Sequence, residues 1–252
     1  MSRQWVLLRG LVRHKKHWER FPELLQQAFP EDSVHLIDLP GNGSLCDRPS
    51  PISIRDMAEA ARTQMGLLNA PAPYFLLSIS MGGMVAIEWM HRHRSEIEGA
   101  VIINSSLRDV GSFKDRLRSE NYPAILKHLL LDRDPISREK LVLDISSNLY
   151  PHKETLAKKW ATYASTHPTN KKNAVRQLLA AARYRAPKRI PHNNVLLLNS
   201  AHDRLVSAIC SERLAKQCQW PLRTHPTAGH DLPLDDGPWI IDQIKDWFSS
   251  ND

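Results

Sequence analysis

Apolar residues in this chain come in short unbroken runs that alternate with longer, spaced series. Trp5-Val6-Leu7-Leu8 is the first run and reads as a buried strand. Trp18, Phe21, Leu24, Leu25, Ala28 and Phe29 then recur at helical spacing. Val34-His35-Leu36-Ile37 is a second strand, closed by the Gly/Pro/Asn-rich loop Asp38-Leu39-Pro40-Gly41-Asn42-Gly43-Ser44. Ser53 suits a helix N-cap with Asp56 three residues on, and Met57, Ala61, Met65 and Leu68 mark the helix it opens. Tyr74 to Leu77 is a third strand, Ala100-Val101-Ile102-Ile103 a fourth and Val195-Leu196-Leu197-Leu198 a fifth. A weak sixth lies around Leu222-Arg223-Thr224-His225, and Ile240, Ile241, Ile244, Trp247 and Phe248 predict a closing amphipathic helix.

Strands alternating with helices imply parallel pairing through crossovers. Strands covered on both faces read as continuous apolar runs, as these do. The expected architecture is therefore α/β, with a mostly parallel sheet of about six strands and helices on both faces. Between Ser105 and about Pro191 the strand signals vanish. Spacings such as Ile125, Leu129 and Leu130, and later Val175, Leu178 and Leu179, predict a helical insertion between the fourth and fifth strands. The expected organisation is a core of residues 1–105 and 191–252 with an inserted helical unit of residues 106–190.

The chemistry centres on Phe75-Leu76-Leu77-Ser78-Ile79-Ser80-Met81-Gly82-Gly83-Met84-Val85-Ala86. A strand turns sharply at Ser80 into a helix, the degenerate form of a nucleophile elbow. Such a turn holds the hydroxyl at the carboxyl edge of the sheet, and Gly82 lets the helix pack close. A serine hydroxyl needs a base, and the base an orienting carboxylate, in the chain order serine, acid, histidine for a sheet of this type. Asp203 directly follows the fifth strand and His230 the sixth, so both fall at the edge that carries Ser80. Asp231, Asp235 and Asp236 are rival acids. An oxyanion requires two backbone donors. The N–H of Met81, at a helix N-terminus, is one candidate. The N–H of Leu11 is the other, aimed by the turn that Gly10 permits.

Composition narrows the context. The 252 residues suffice for one large core, and no apolar run is long enough to span a membrane. Cys46, Cys210 and Cys218 are odd in number and scattered, which argues against a disulfide framework and for a cytoplasmic setting. The formal charge is +7, and it belongs to the insertion, where eighteen lysines and arginines face eight acids. An acidic partner is expected there; no nucleic-acid motif accompanies the charge. His14 and His17 beside Lys15 and Lys16 lack the further ligands of a metal site, so a solvated loop near the cleft is expected and no metal.

Together these segments resemble the α/β-hydrolase superfamily along nearly the whole chain. Arg9-Gly10 followed by Trp18 is similar to that family's His-Gly and downstream Trp, with Arg9 in place of the histidine. Ser78-Ile79-Ser80-Met81-Gly82-Gly83 looks like its elbow. Asp203-Arg204-Leu205-Val206 and Gly229-His230 look like its acid and base segments. The resemblance implies an α/β-hydrolase fold whose insertion is a lid. It implies a carboxylic ester hydrolase with Ser80, Asp203 and His230 as catalytic residues and no cofactor, expected as a monomer acting on a small-molecule ester. A thioesterase or lipid acyl hydrolase, a lyase or C–C hydrolase, and a binding protein with a vestigial triad are the alternatives. Among the family's groups, the chain looks most like the bacterial carboxylesterases of pimeloyl-[acyl-carrier-protein] methyl ester, a group tied to biotin synthesis. That group's basic lid holds an acidic carrier protein, which makes acyl carrier protein the expected partner. The charge balance of the insertion offers Arg116, Arg118, Lys158 and Lys159 as candidate contacts.

Overall fold

The computed structural model of the chain describes residues 2–121, 123, 134–187, 190 and 194–250. Six strands form one sheet: β1 (Gln4–Leu8), β2 (Ser33–Leu36), β3 (Tyr74–Ile79), β4 (Ile97–Ile103), β5 (Val195–Ser200) and β6 (Leu222–His225). Their order is β2-β1-β3-β4-β5-β6, and every pairing is parallel. The chain steps outward from β1 to β2, then returns to add β3 on the other side. The order therefore reverses between β1 and β3, and a crevice opens at such a switch point beyond the carboxyl ends of the strands.

The apolar runs divide between two faces because successive side chains on a strand point opposite ways. Trp5 and Leu7 of β1 join Phe75, Leu77, Val101, Ile103, Leu196 and Leu198 on one face. There they meet Phe21 and Leu25 of α1 (Phe21–Ala28) and Ile240, Ile244 and Trp247 of the last helix, Gly237–Ser249. Val6, Leu8, Leu76, Ile102 and Leu197 face the other way, onto α2 (Ile54–Leu67) and α3 (Met81–Arg92). Each such side chain contributes about 1.5–3 kcal/mol when fully buried. Helix α2 begins where its cap predicts, with Ser53 Oγ accepting from Asp56 N at 3.1 Å. Leu68, one of the residues that mark this helix in the sequence, is its exposed C-cap, while Met57, Ala61 and Met65 are buried.

Between β4 and β5 the chain forms α4 (Pro135–Ser146), α5 (Lys153–Thr166) and α6 (Lys171–Arg183). Leu143, Leu156, Ala157 and Trp160 make a small core of their own. The spacing read at Ile125, Leu129 and Leu130 lies outside the described residues. So do Lys127, Arg133, Lys188 and Arg189 of the basic insertion. Helix α6 is present, but its apolar spacing does not mark its buried face. Val175, Leu178 and Leu179 are 52%, 44% and 39% exposed, whereas Asn173 and Gln177 are buried with Ala180 and Ala181. The reason is that Asn173 and Gln177 hydrogen-bond to polar loops while only the small Ala180 and Ala181 reach the apolar core, so hydrogen bonds help choose the inward face. Among the described residues no helix is long and apolar enough to cross a membrane.

Candidate active site

Strand β3 delivers Ser80 to the crevice with φ 57° and ψ −123°, a conformation that costs a non-glycine residue on the order of 1–3 kcal/mol. Neighbouring bonds hold it there. Ser80 N donates to Ile103 O at 2.9 Å, and Ser80 O accepts from Gly83 N at 2.9 Å and Ser105 Oγ at 2.8 Å. Glycine at position 82 is obligatory for a reason the motif alone does not state. A Cβ there would lie 2.8 Å from Arg9 O and closer still to Leu8 O, so α3 presses on the end of β1, the neighbouring strand. Gly83 is confined likewise, its would-be Cβ 2.6 Å from Ser105 Oγ.

The loop after β1 lies directly against the serine. A Cβ on Gly10 would sit 3.0 Å from Ser80 Cβ and 3.4 Å from its Oγ. Leu11 follows in the turn closed by Arg13 N donating to Gly10 O, 3.3 Å. Val12 takes φ 57°, strained for a β-branched residue. Its N–H donates to Oε1 of the fully buried Gln177 of α6 at 2.9 Å. Gln177 Nε2 in turn donates to Asn42 Oδ1 at 3.0 Å and Ser50 Oγ at 2.9 Å. Met81 opens α3, so its amide is at the positive end of that helix.

Asp203 and His230 meet. His230 Nδ1 lies 2.7 Å from Asp203 Oδ2, and the two residues are 8% and 2% exposed. The second carboxylate oxygen accepts from Leu205 N at 2.7 Å and Val206 N at 2.9 Å, which locks the acid's orientation. Burial by itself pushes the His230 imidazole down. The charge and hydrogen bond of Asp203, helped by Asp231 and opposed by Arg9, outweigh it, so the pKa is raised above the ordinary 6.5. The neutral, proton-accepting form is therefore lost as pH falls through a value above 6.5. The rival acids are otherwise engaged. Asp235 Oδ2 accepts from Gly229 N at 2.7 Å, Asp236 caps the last helix, and Asp231 pairs with Arg9.

Asn104, absent from the sequence reading, joins these parts. Just past β4 with φ 46°, its Nδ2 donates to His230 O at 2.8 Å, and its Oδ1 accepts from Ser200 N at 2.9 Å. The signal available was its position, immediately beyond the strand that neighbours the serine.

His14 and His17 correct an expectation. They are not on a solvated loop but 6% and 3% exposed, their rings 4.1 Å apart and packed on the insertion. His17 stands edge-on to Trp160 at 4.7 Å and His14 to Tyr163 at 5.4 Å. Arg13 ties the same loop to α4 through Glu139 at 2.6 Å. Trp160 Nε1 donates to Glu19 Oε1 at 2.7 Å. Burial lowers the His14 pKa to about 4 and, with the Arg13 charge beside it, holds His17 well below its ordinary value. Among the described residues no group of three potential ligands is poised for a metal.

The four basic candidates are placed differently from one another. Arg116 is turned inward, donating to Ala182 O at 3.1 Å and Ala181 O at 2.6 Å. Arg118 donates to Asp203 O at 3.1 Å, behind the acid. Lys159 pairs with Glu19 at 2.6 Å, and Lys158 is exposed.

A six-stranded parallel sheet with a strained serine turn at its switch point defines the class: an α/β fold of the hydrolase type. The chain belongs to the Alpha/beta hydrolase family, whose profile matches residues 5–242. It is 30% identical over 118 residues to the pimeloyl-[acyl-carrier protein] methyl ester esterase of Chromobacterium violaceum, 47% of this chain and 40% of that protein. It is 33% identical over 100 residues to Protein ABHD14A of Danio rerio, 40% and 37% of the two chains. These matches span less than half the length of either relative. Among solved structures, the meta-cleavage product hydrolase from Pseudomonas fluorescens superposes with a TM-score of 0.79 at 16% identity, over 100% of this chain and 92% of that one.

Proposed function

We propose that the protein is a serine hydrolase of carboxylic esters. Ser80 attacks the carbonyl while His230 takes its proton and later returns it to the leaving alkoxide. Asp203 fixes the imidazole tautomer, with Nδ1–H toward its carboxylate and Nε2 free to work, and stabilises the imidazolium. The amides of Leu11 and Met81 stabilise the oxyanion. Water activated by His230 then frees the acid. The observation that carries this reading is the buried 2.7 Å contact of His230 with Asp203, made by loops that follow β5 and β6 at the rim where Ser80 turns.

The substrate we infer is the methyl ester of an acyl chain borne on acyl carrier protein. The likeness to the Chromobacterium esterase and the basic insertion, here read as a lid, support it. Arg116, with its guanidinium held by backbone carbonyls, offers a carrier less than Lys158 does.

The test is a panel of p-nitrophenyl esters, methyl esters and thioesters of graded acyl length, free and carrier-borne. A fluorophosphonate label is run beside it and its adduct located by mass. Ser80→Ala should cut turnover by about 10⁴ or more with the fold intact. Turnover within a few fold of wild type, or an adduct on another residue, would remove Ser80 from the mechanism. A carrier-borne methyl ester cleaved no faster than the free ester would remove the carrier.

A further inference from the structure

Two loops of the site are joined by a pair of charges. Arg9 precedes Gly10, and Asp231 follows His230. Arg9 NH1 donates to Asp231 Oδ1 at 3.0 Å and NH2 to Oδ2 at 2.7 Å, a fork on a carboxylate. The side chains are 5% and 6% exposed. The guanidinium lies 4.9 Å from the Trp18 ring centre, and Asp231 N donates to Ser146 O at 2.7 Å. Apolar side chains of similar volume often serve stability as well as a buried ion pair, so stability is a poor account of this one. What it does provide is direction: a planar fork fixes one loop on the other in a single register.

We propose that Arg9 and Asp231 are positioning residues that clamp the His230 loop onto the loop carrying the Leu11 amide, and balance each other's charge beside the imidazole. The proposal rests on the reading of Ser80, His230 and Asp203 as the reacting set. Asp203 faces His230 from the loop after β5, Asp231 from its own loop and Arg9 from the loop after β1. Asp235, Arg204 and Arg118 lie behind them, on Gly229 N, Ser147 O and Asp203 O. Asp231 favours the imidazolium and Arg9 opposes it. The two act in opposite directions on the same ring, so removing one uncovers the other.

The experiment is a ¹H–¹⁵N titration of the His230 ring in the full chain, with its signals assigned by their loss in His230→Gln. In Asp231→Asn the uncovered guanidinium should lower the midpoint by about one pH unit, and in Arg9→Met the uncovered carboxylate should raise it by a similar amount. Arg9→Met with Asp231→Leu should return close to wild type yet lose about tenfold in kcat with KM little changed, because the clamp is gone. Arg9→Lys should keep the midpoint and recover part of kcat. A brace with no electrostatic part would leave the midpoints alone. Midpoints that stay put or move the same way in both single variants overturn the proposal. Should the single variants not fold, the double variant decides, since it leaves no unpaired charge: wild-type kcat overturns the clamp, and the tenfold loss supports it. Fluorophosphonate labelling of wild-type Ser80 is read separately. Its failure would sink the hydrolase reading, while the ring titration still judges the pair.

Discussion

The sheet and the insertion are built on opposite logics. The sheet buries Leu, Val, Ile and Trp on both faces and keeps its polar groups for the rim. Helix α6 does the reverse, hiding Asn173 and Gln177 and exposing Val175, Leu178 and Leu179. Apolar burial is non-directional and insensitive to pH. Hydrogen bonds and ion pairs are directional and depend on protonation. The sheet therefore supplies a firm platform for Ser80. The insertion grips the loop after β1 at several points, through Gln177, Glu139 and Trp160. The loop that carries Leu11 therefore depends on the insertion, whereas the turn at Ser80 depends on the sheet.

Four experiments test this contrast. The largest effect is expected from Gly82→Val, which drives a side chain into the carbonyls of Leu8 and Arg9. A loss of about 3 kcal/mol or more in urea unfolding is expected, since backbone cannot yield as a side chain can. Wild-type stability would mean that α3 does not press on β1. Next comes acid. A buried histidine held at a pKa of about 4 against 6.5 unfolded contributes stability that is whole above pH 6.5 and lost as pH falls toward 4. Unfolding between pH 7 and 4 should show this loss, on the order of 3 kcal/mol, and His14→Phe should flatten it. An unchanged slope in that variant would assign the acid sensitivity elsewhere.

A smaller effect is expected of Gln177→Leu. It strands the Val12 amide and takes one bond each from Asn42 Oδ1, which keeps Thr169, and Ser50 Oγ, which keeps Pro40 O, costing about 2 kcal/mol. It should also lower kcat about tenfold with KM nearly constant, as the Leu11 amide loses its aim. A rise in KM alone would place Gln177 in substrate binding instead. Smallest of all, Leu178→Gln with Leu179→Gln should change stability by no more than about 0.5 kcal/mol, measured by the same unfolding. A larger loss would show that the exposed face of α6 is covered after all.

Much of the molecule was legible in its residues because the relevant forces are local. Runs of apolar residues marked the first five strands, since a strand covered on both faces needs little else; the half-exposed edge strand β6, Leu222-Arg223-Thr224-His225, was marked only weakly. Ser53 and Asp56 marked the start of α2, and Ser80 between β3 and a helix marked the strained turn. Asp203 and His230 were found by placement past strands, and the structure brings them together. What failed was whatever depended on a partner far along the chain. His14 and His17 looked solvated because nothing nearby covers them; Trp160 and Tyr163 do so from some 140 residues away. The spacing of Val175, Leu178 and Leu179 marked the helix α6 but not its inward face, because spacing cannot tell which side distant polar partners will cover.

The amino-acid order by itself determined the alternating elements, the turn at residue 80 and the order serine, acid, histidine, because short-range sterics and burial operate within a few residues. Only the tertiary structure decided that Arg9 closes on Asp231, that Asn104 and Gln177 tie loops together, and which face of α6 turns inward. Those choices are made by hydrogen bonds and charges between segments far apart along the chain. Such contacts have a preferred partner only once the sheet has brought their ends to one rim.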